Sequence, residues 1–200
     1  MLKIGVIASG RGSNLQAIMD NISAGQINAQ VAVVISDKEN AYALDRARNK
    51  GIVALHINPK AYPDKAAYET AIVDCLKQNQ VELVVLAGYM RLVGKVILEA
   101  YQNKVMNIHP ALLPSFPGAH GQKEALDYGV RYSGCTVHFV DEGMDTGPII
   151  LQAVVPVLQE DTENTLADRI LEQEHKVYSE AIHLFAEGRL EVVGRRVRIK

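Results

Sequence analysis

Asn107 and His109 stand two residues apart in Met106-Asn107-Ile108-His109-Pro110, at the end of an apolar run. In a strand, alternate residues face one side, so both project together from the strand's carboxyl end. An asparagine amide donates a fixed N–H to a developing oxyanion, and a histidine exchanges protons with it or with a leaving nitrogen. Such a pair suits attack on a carbonyl. Asp145, in Gly143-Met144-Asp145-Thr146-Gly147-Pro148, offers a carboxylate from a loop between two expected strands. Close to His109 it would favour the imidazolium and orient the ring. Taken singly, Asn-x-His before proline and Asp-Thr-Gly are also ordinary turn strings. His138 alternates with Val137 and Phe139 and reads as a satisfied sheet histidine in preference to a catalytic one, which stays open as the alternative.

A second cluster, Ser9-Gly10-Arg11-Gly12-Ser13-Asn14, separates an apolar run from a helical pattern. Backbone amides and the positive helix end there suit a phosphate, glycines allow close approach, and Ser13 or Asn14 adds donors. Asp37 occupies the position of a ribose-binding acid in dinucleotide folds, yet the third glycine of GxGxxG is missing because position 15 is leucine. A ligand-free turn with Ser13 as helix N-cap remains open as the bland alternative. No GxSxG or HExxH string occurs, so neither a serine elbow nor a zinc hydrolase is expected, and no metal is required. Direct transfer between two bound substrates remains.

These groups need a frame that brings strand ends to one edge. Short Val/Ile/Leu runs at 2–7, 31–35, 53–57, 82–86 and 105–108 alternate with helical patterns at 13–24, 41–50, 65–79 and 93–101. Ala66, Ile72, Val73 and Leu76 mark the apolar face of the third helix. The expected fold class is therefore α/β, a Rossmann-like, mostly parallel twisted sheet with helices on both faces. Pro110, Pro114, Pro117 and Gly118 keep the next stretch irregular until about residue 122. Strands are expected at 132–140 and 148–157, joined by 141–147, which is too long for a tight hairpin turn. A long helix follows over 162–187, capped by Asp161 or Thr162, striped by Ile170, Val177, Ile182 and Phe185, and ended by Gly188. The tail 189–200 reads as a hairpin around Gly194 whose basic residues solvate an edge strand. The chain is read as one domain, with residues 1–104 as a phosphate-binding half and 105–200 as a catalytic half ending in the long helix and hairpin.

With 200 residues and 48% hydrophobic content, the chain can bury a sizeable core. Lysine and arginine total 21 against 23 acids, so no net field draws it to nucleic acid or a membrane surface. Small-molecule substrates fit better. No apolar run approaches a membrane span, Cys75 and Cys135 lack metal or disulfide spacing, and a cytoplasmic setting is expected. Nothing in the sequence fixes an oligomeric state, and a homodimer stays open.

The strings Ile7-Ala8-Ser9-Gly10-Arg11-Gly12-Ser13-Asn14-Leu15-Gln16, Leu86-Ala87-Gly88-Tyr89-Met90-Arg91, Asn107-Ile108-His109-Pro110-Ala111-Leu112-Leu113-Pro114 and Gln173-Glu174-His175 recur in order along nearly the whole chain. Together with the segment from Gly134 to Gly147, they make the sequence resemble the folate-dependent formyltransferases. That resemblance implies the formyltransferase fold, 10-formyltetrahydrofolate as donor and co-substrate, and the amine of 5-phosphoribosylglycinamide as acceptor. It implies catalytic roles for Asn107, His109 and Asp145, and contacts to the acceptor from Gly12, Ser13, Asn14 and Glu174. It also implies donor contacts from Lys65, Met90, Arg91, Leu92, Val93, Asn107, Asp141, Glu142, Gly143, Met144 and Asp145. Lys65 stands where the family would place arginine, and offers a folate tail charge without a bidentate fork. From the residues alone, Met90 and Leu92 would be ordinary core or loop side chains and Glu174 a solvated helix charge.

Rival readings are a formyltetrahydrofolate deformylase, expected to carry an extra N-terminal domain, and a methionyl-tRNA formyltransferase, expected to carry an extra C-terminal one. A non-enzymatic folate or nucleotide sensor would be expected to have lost the trio.

Overall fold

The computed structural model describes residues 1–200, which divide into two compact units, Met1–Asn107 and Ile108–Lys200. In the first, strands β1 (Leu2–Ala8), β2 (Ala29–Ser36), β3 (Val53–His56), β4 (Leu83–Leu86) and β5 (Val105–His109) pair in parallel in the order β3-β2-β1-β4-β5. Strand β5 continues past the unit boundary by two residues. Between strands lie helices α1 (Ser13–Ser23), α2 (Tyr42–Asn49), α3 (Lys65–Gln78) and α4 (Lys95–Ala100). Parallel strands need such crossovers. All four residues of β4 are buried, as a strand covered on both faces requires, whereas β3 at the edge alternates between exposed and half-buried.

The α/β class and the alternation of elements agree with the sequence expectation, but one helix face differs. Ala66 is exposed, and the buried stripe of α3 starts at Tyr68 and continues through Ile72, Cys75 and Leu76. Those positions repeat at four, seven and eight residues, so the helix turns Ala66 outward. Asp64 caps α3 by accepting the Ala67 amide at 2.8 Å. A 3₁₀ turn, Pro59–Ala61, precedes it, opened by the Asn58 side chain accepting the Lys60 amide at 3.0 Å.

The second unit begins with the last two residues of β5 and the proline-rich loop and continues into α5 (Gly121–Tyr128), β6 (Tyr132–Phe139), β7 (Ile149–Pro156), α6 (Glu163–Ala186), β8 (Leu190–Val193) and β9 (Arg196–Ile199). Strands β6 and β7 are antiparallel, β9 joins β7 in parallel at Ile149 and Arg196, and β8 closes the terminal hairpin. Thr162 caps α6 through a reciprocal bond with Thr165, an arrangement typically worth about 1 kcal/mol. Gly188, at φ +69°, ends it in the left-handed conformation that glycine adopts without strain.

The buried face of α6 runs Leu166, Ile170, Glu174, Tyr178, Ile182, one residue every four. Val177 and Phe185, expected on that stripe, are only half-buried. Glu174 is therefore buried at 7% exposure instead of being a solvated helix charge. No helix of the protein is long and apolar enough to cross a membrane.

Candidate active site

The loop after β1 surrounds a cavity of about 240 Å³ lined by Ser9, Gly10, Arg11, Gly12, Ser13, Asn14, Ala87, Gly88 and Met90. Helix α1 begins at Ser13, so Gly12 and not Ser13 is the N-cap. At φ +68° Gly12 has no side chain to accept the first amides, and no side-chain cap bond is made. No N-cap side chain therefore stands at the positive end of this 11-residue helix, the end that favours an anion. The carbonyls of Gly10 and Arg11 are engaged by the Ala43 amide at 3.1 Å and Arg46 Nε at 2.9 Å, which fixes the loop against α2. A Cβ at Gly12 would meet Ala43 Cβ at 2.8 Å and its Cα at 2.9 Å, so space as well as φ demands glycine.

In the second unit, His109 ends β5 almost fully buried, at 4% exposure. Its Nδ1 lies 3.4 Å from Asp145 Oδ2, and its Nε2 lies 2.7 Å from the carbonyl of Phe116. Asp145 Oδ2 also accepts the Gly118 amide at 2.8 Å, while Oδ1 is 3.6 Å from Nε2 of His138. Burial raises the Asp145 carboxyl, but the hydrogen bond from His138, the Gly118 amide and the charges of both histidines outweigh it. The net position is below the ordinary aspartate value. A carboxylate held below its ordinary value beside one nitrogen of a histidine is an arrangement for proton exchange at the other nitrogen. Asn107, half-buried, stands two residues before His109 on the same strand.

His138 was expected to be satisfied by its own sheet. Its Nδ1 does meet the carbonyl of Phe139 at 2.9 Å, but Nε2 faces the carboxylate of Asp145. Alternation with Val137 and Phe139 signalled only that it was buried, and nothing local indicated an acid six residues beyond the strand's end.

The loop following His109 is held by a buried polar network that local sequence did not reveal. Thr136 Oγ1 accepts the Leu113 amide at 3.0 Å and donates to the Ala111 carbonyl at 2.7 Å. Gln152 Nε2 donates to the Leu113 carbonyl at 3.0 Å and to Thr136 Oγ1 at 2.9 Å. Residues so short of regular partners need side chains to satisfy their backbone.

Asp145 itself sits at φ +55° in the segment joining β6 to β7. There Asp141 Oδ1 accepts the Gly143 amide at 3.1 Å and the Thr146 hydroxyl at 2.6 Å, an Asx-type turn. Glu142 and Gly143 are exposed within it and Met144 is half-exposed. A Cβ at Gly147 would lie 1.7 Å from the Phe139 carbonyl oxygen, so this return of the chain admits only glycine. Arg195, expected among the solvated charges of the tail, donates to the Thr146 carbonyl and braces the same segment.

Met90, Arg91 and Leu92 are exposed on the connection from β4 to α4, and Val93 is buried. Lys65 starts α3, its Nζ 3.8 Å from Glu69 Oε1. Glu174 points from α6 into the interior near Cys135, whose thiol it helps to raise after burial itself. The structure thus gathers Gly12, Ser13, Asn14 and Met90 around one cavity, and His109, Asp145 and His138 into one cluster.

The formyl transferase family model matches residues 2–182. The chain belongs to the formyl transferase family. It is 46% identical over 182 residues to phosphoribosylglycinamide formyltransferase of Bacillus subtilis (strain 168), covering 91% of this chain and 93% of that one. The protein of the same name from Escherichia coli (strain K12) is 40% identical over 191 residues, or 96% of this chain and 90% of its own. The crystal structure of glycinamide ribonucleotide transformylase 1 from Symbiobacterium toebii superposes with a TM-score of 0.98 at 57% identity, covering 100% of this chain and 94% of that one. As a formyl transferase the protein is an enzyme of group transfer, and formyl-folate is the co-substrate of the family.

Proposed function

We propose that this formyl transferase moves the formyl group of 10-formyltetrahydrofolate to the amine of 5-phosphoribosylglycinamide, releasing tetrahydrofolate in purine synthesis. The observation that carries the reading is the His109–Asp145 pair, buried at the end of a parallel strand in a chain so similar to enzymes named for this reaction. Gly12, Ser13 and Asn14 take the acceptor phosphate, supported by the uncapped start of α1 and the cavity it opens on. Glu174 accepts from the ribose hydroxyls. Met90, Arg91, Leu92, Val93 and the segment 141–145 receive the pterin, and Lys65 meets the anionic tail.

The acceptor amine attacks the formyl carbon and forms a tetrahedral oxyanion. Asn107 and His109 donate to that oxygen as fixed, preorganised dipoles. Asp145 holds Nδ1 of His109, so Nε2 is the atom left for the reaction, and its bond to the Phe116 carbonyl is exchanged for substrate. As the bond from carbon to the folate nitrogen breaks, the proton lost by the amine is delivered to that nitrogen with the help of Asp145. Atoms balance without a metal or a redox partner.

The reading is tested by supplying the donor with a carbon-13 formyl group and following the label by nuclear magnetic resonance. Label in the formamide of the acceptor is the expected result, and label accumulating only as free formate would overturn it.

A further inference from the structure

Glu69 is a buried acid outside the cluster of His109 and Asp145, at 3% exposure on α3. A buried carboxylate is costly unless its oxygens find donors or a cation. Here Oε1 accepts the amide of Gly94 at 2.6 Å, and Lys65 Nζ stands 3.8 Å away on the preceding turn. Gly94 has an ordinary φ of −103°, yet its position has no room for a side chain. A Cβ there would fall 2.6 and 2.7 Å from the two carboxylate oxygens and 2.8 Å from Lys65 Cε. The amide, the carboxylate and the lysine stem are therefore packed in direct contact.

Gly94 ends the connection from β4 to α4. Near its other end, the Met90 amide donates to Ser9 Oγ at 3.0 Å. Between these two anchors Met90 is 75% exposed and Leu92 57% exposed, while Arg91 lies over the Tyr68 ring at 5.6 Å. Large apolar side chains held outward on a segment tied at both ends form a preorganised surface for a flat apolar ligand.

We propose that Glu69 is a positioning residue for the formyl donor, tying the segment 90–93 and Lys65 into one binding surface. It touches no reacting atom. The proposal rests on the reading that these residues receive the donor. Because Glu69 bonds the segment at Gly94, the end away from the Met90 amide that meets Ser9 of the phosphate loop, its loss raises donor KM without changing the chemical step or acceptor binding.

Steady-state kinetics of the full chain test this with Glu69→Ala, Glu69→Gln and Gly94→Ala. Loss of a charge-assisted hydrogen bond predicts a roughly tenfold rise in donor KM for Glu69→Ala. Its kcat and acceptor KM should stay within about twofold of the wild type. Glu69→Gln keeps an oxygen for the Gly94 amide and should recover most of the donor KM. Gly94→Ala, which displaces the carboxylate, should raise donor KM while sparing kcat, and gives the same test should Glu69→Ala fail to fold. An unchanged donor KM, or a parallel rise in both KM values, overturns the role of Glu69. A wild-type protein that transfers no formyl group contradicts instead the reading beneath it.

Discussion

Nδ1 of His109 lies 3.4 Å from Oδ2 of Asp145, and that oxygen is simultaneously fixed by the amide of Gly118. The carboxylate therefore presents a set orientation to the ring. Removing either partner should lower kcat by ~10²-fold or more with smaller effects on KM, as for a lost proton-transfer group. His109→Ala tests the ring. Asp145→Asn removes the charge and one acceptor oxygen while keeping the shape, because asparagine tolerates the φ of +55° held there. Wild-type turnover in either variant would exclude the pair from the reaction.

Gly12 allows a separate test of the acceptor site. A methyl group at this position would meet Ala43 at under 3 Å while sitting at a left-handed φ, so Gly12→Ala must move the loop. Acceptor KM should rise, by about tenfold for the loss of one or two phosphate contacts, while donor KM holds. Kinetics with each substrate varied in turn would show it, and an equal rise in both would point to general loosening.

The start of α6 gives a pH-dependent signature in stability. Arg169 donates twice to Asp161, at 2.7 Å each, and this pairing, helped by the Leu158 amide and Thr165 hydroxyl, outweighs burial to hold the Asp161 carboxyl well below its ordinary 3.8. A depressed carboxyl stabilises the fold above its unfolded value, and that stabilisation is lost as pH falls toward the folded one. Asp161→Asn should therefore melt lower than wild type at neutral pH, by a few degrees. The gap should narrow as pH drops below 3.8, and a gap independent of pH would refute the charge argument.

Neither cysteine should matter to catalysis. Burial pushes the Cys135 thiol up to about 12, with Glu174 adding to the shift, and burial also raises Cys75. Only the thiolate is strongly nucleophilic. Thiol reagents at neutral pH should react slowly with the folded protein and leave activity intact, whereas rapid loss of activity on stoichiometric labelling would contradict this.

Period and punctuation carried most of the fold. The apolar run at β4 stands out because a strand buried on both faces seldom holds polar residues, and Thr162 and Gly188 mark the ends of α6 by their capping chemistry. The spacing within Asn107-Ile108-His109 was equally visible, since strand alternation is a local property. What stayed hidden depends on contacts far apart in sequence. His138 faces Asp145, Thr136 and Gln152 hold the loop after His109, and Arg195 braces Thr146 across 49 residues. Glu174 is an intermediate case. The four-residue repeat from Leu166 to Ile182 passes through it, so a strict helical count would have placed it inside.

Transfer between two bound substrates is tested by following folate absorbance with purified protein, 10-formyltetrahydrofolate and 5-phosphoribosylglycinamide, alongside reactions lacking the acceptor. Folate product that forms only when the acceptor is present is the predicted result. Product formed at the same rate without it would mean that water takes the formyl group, and would contradict the account.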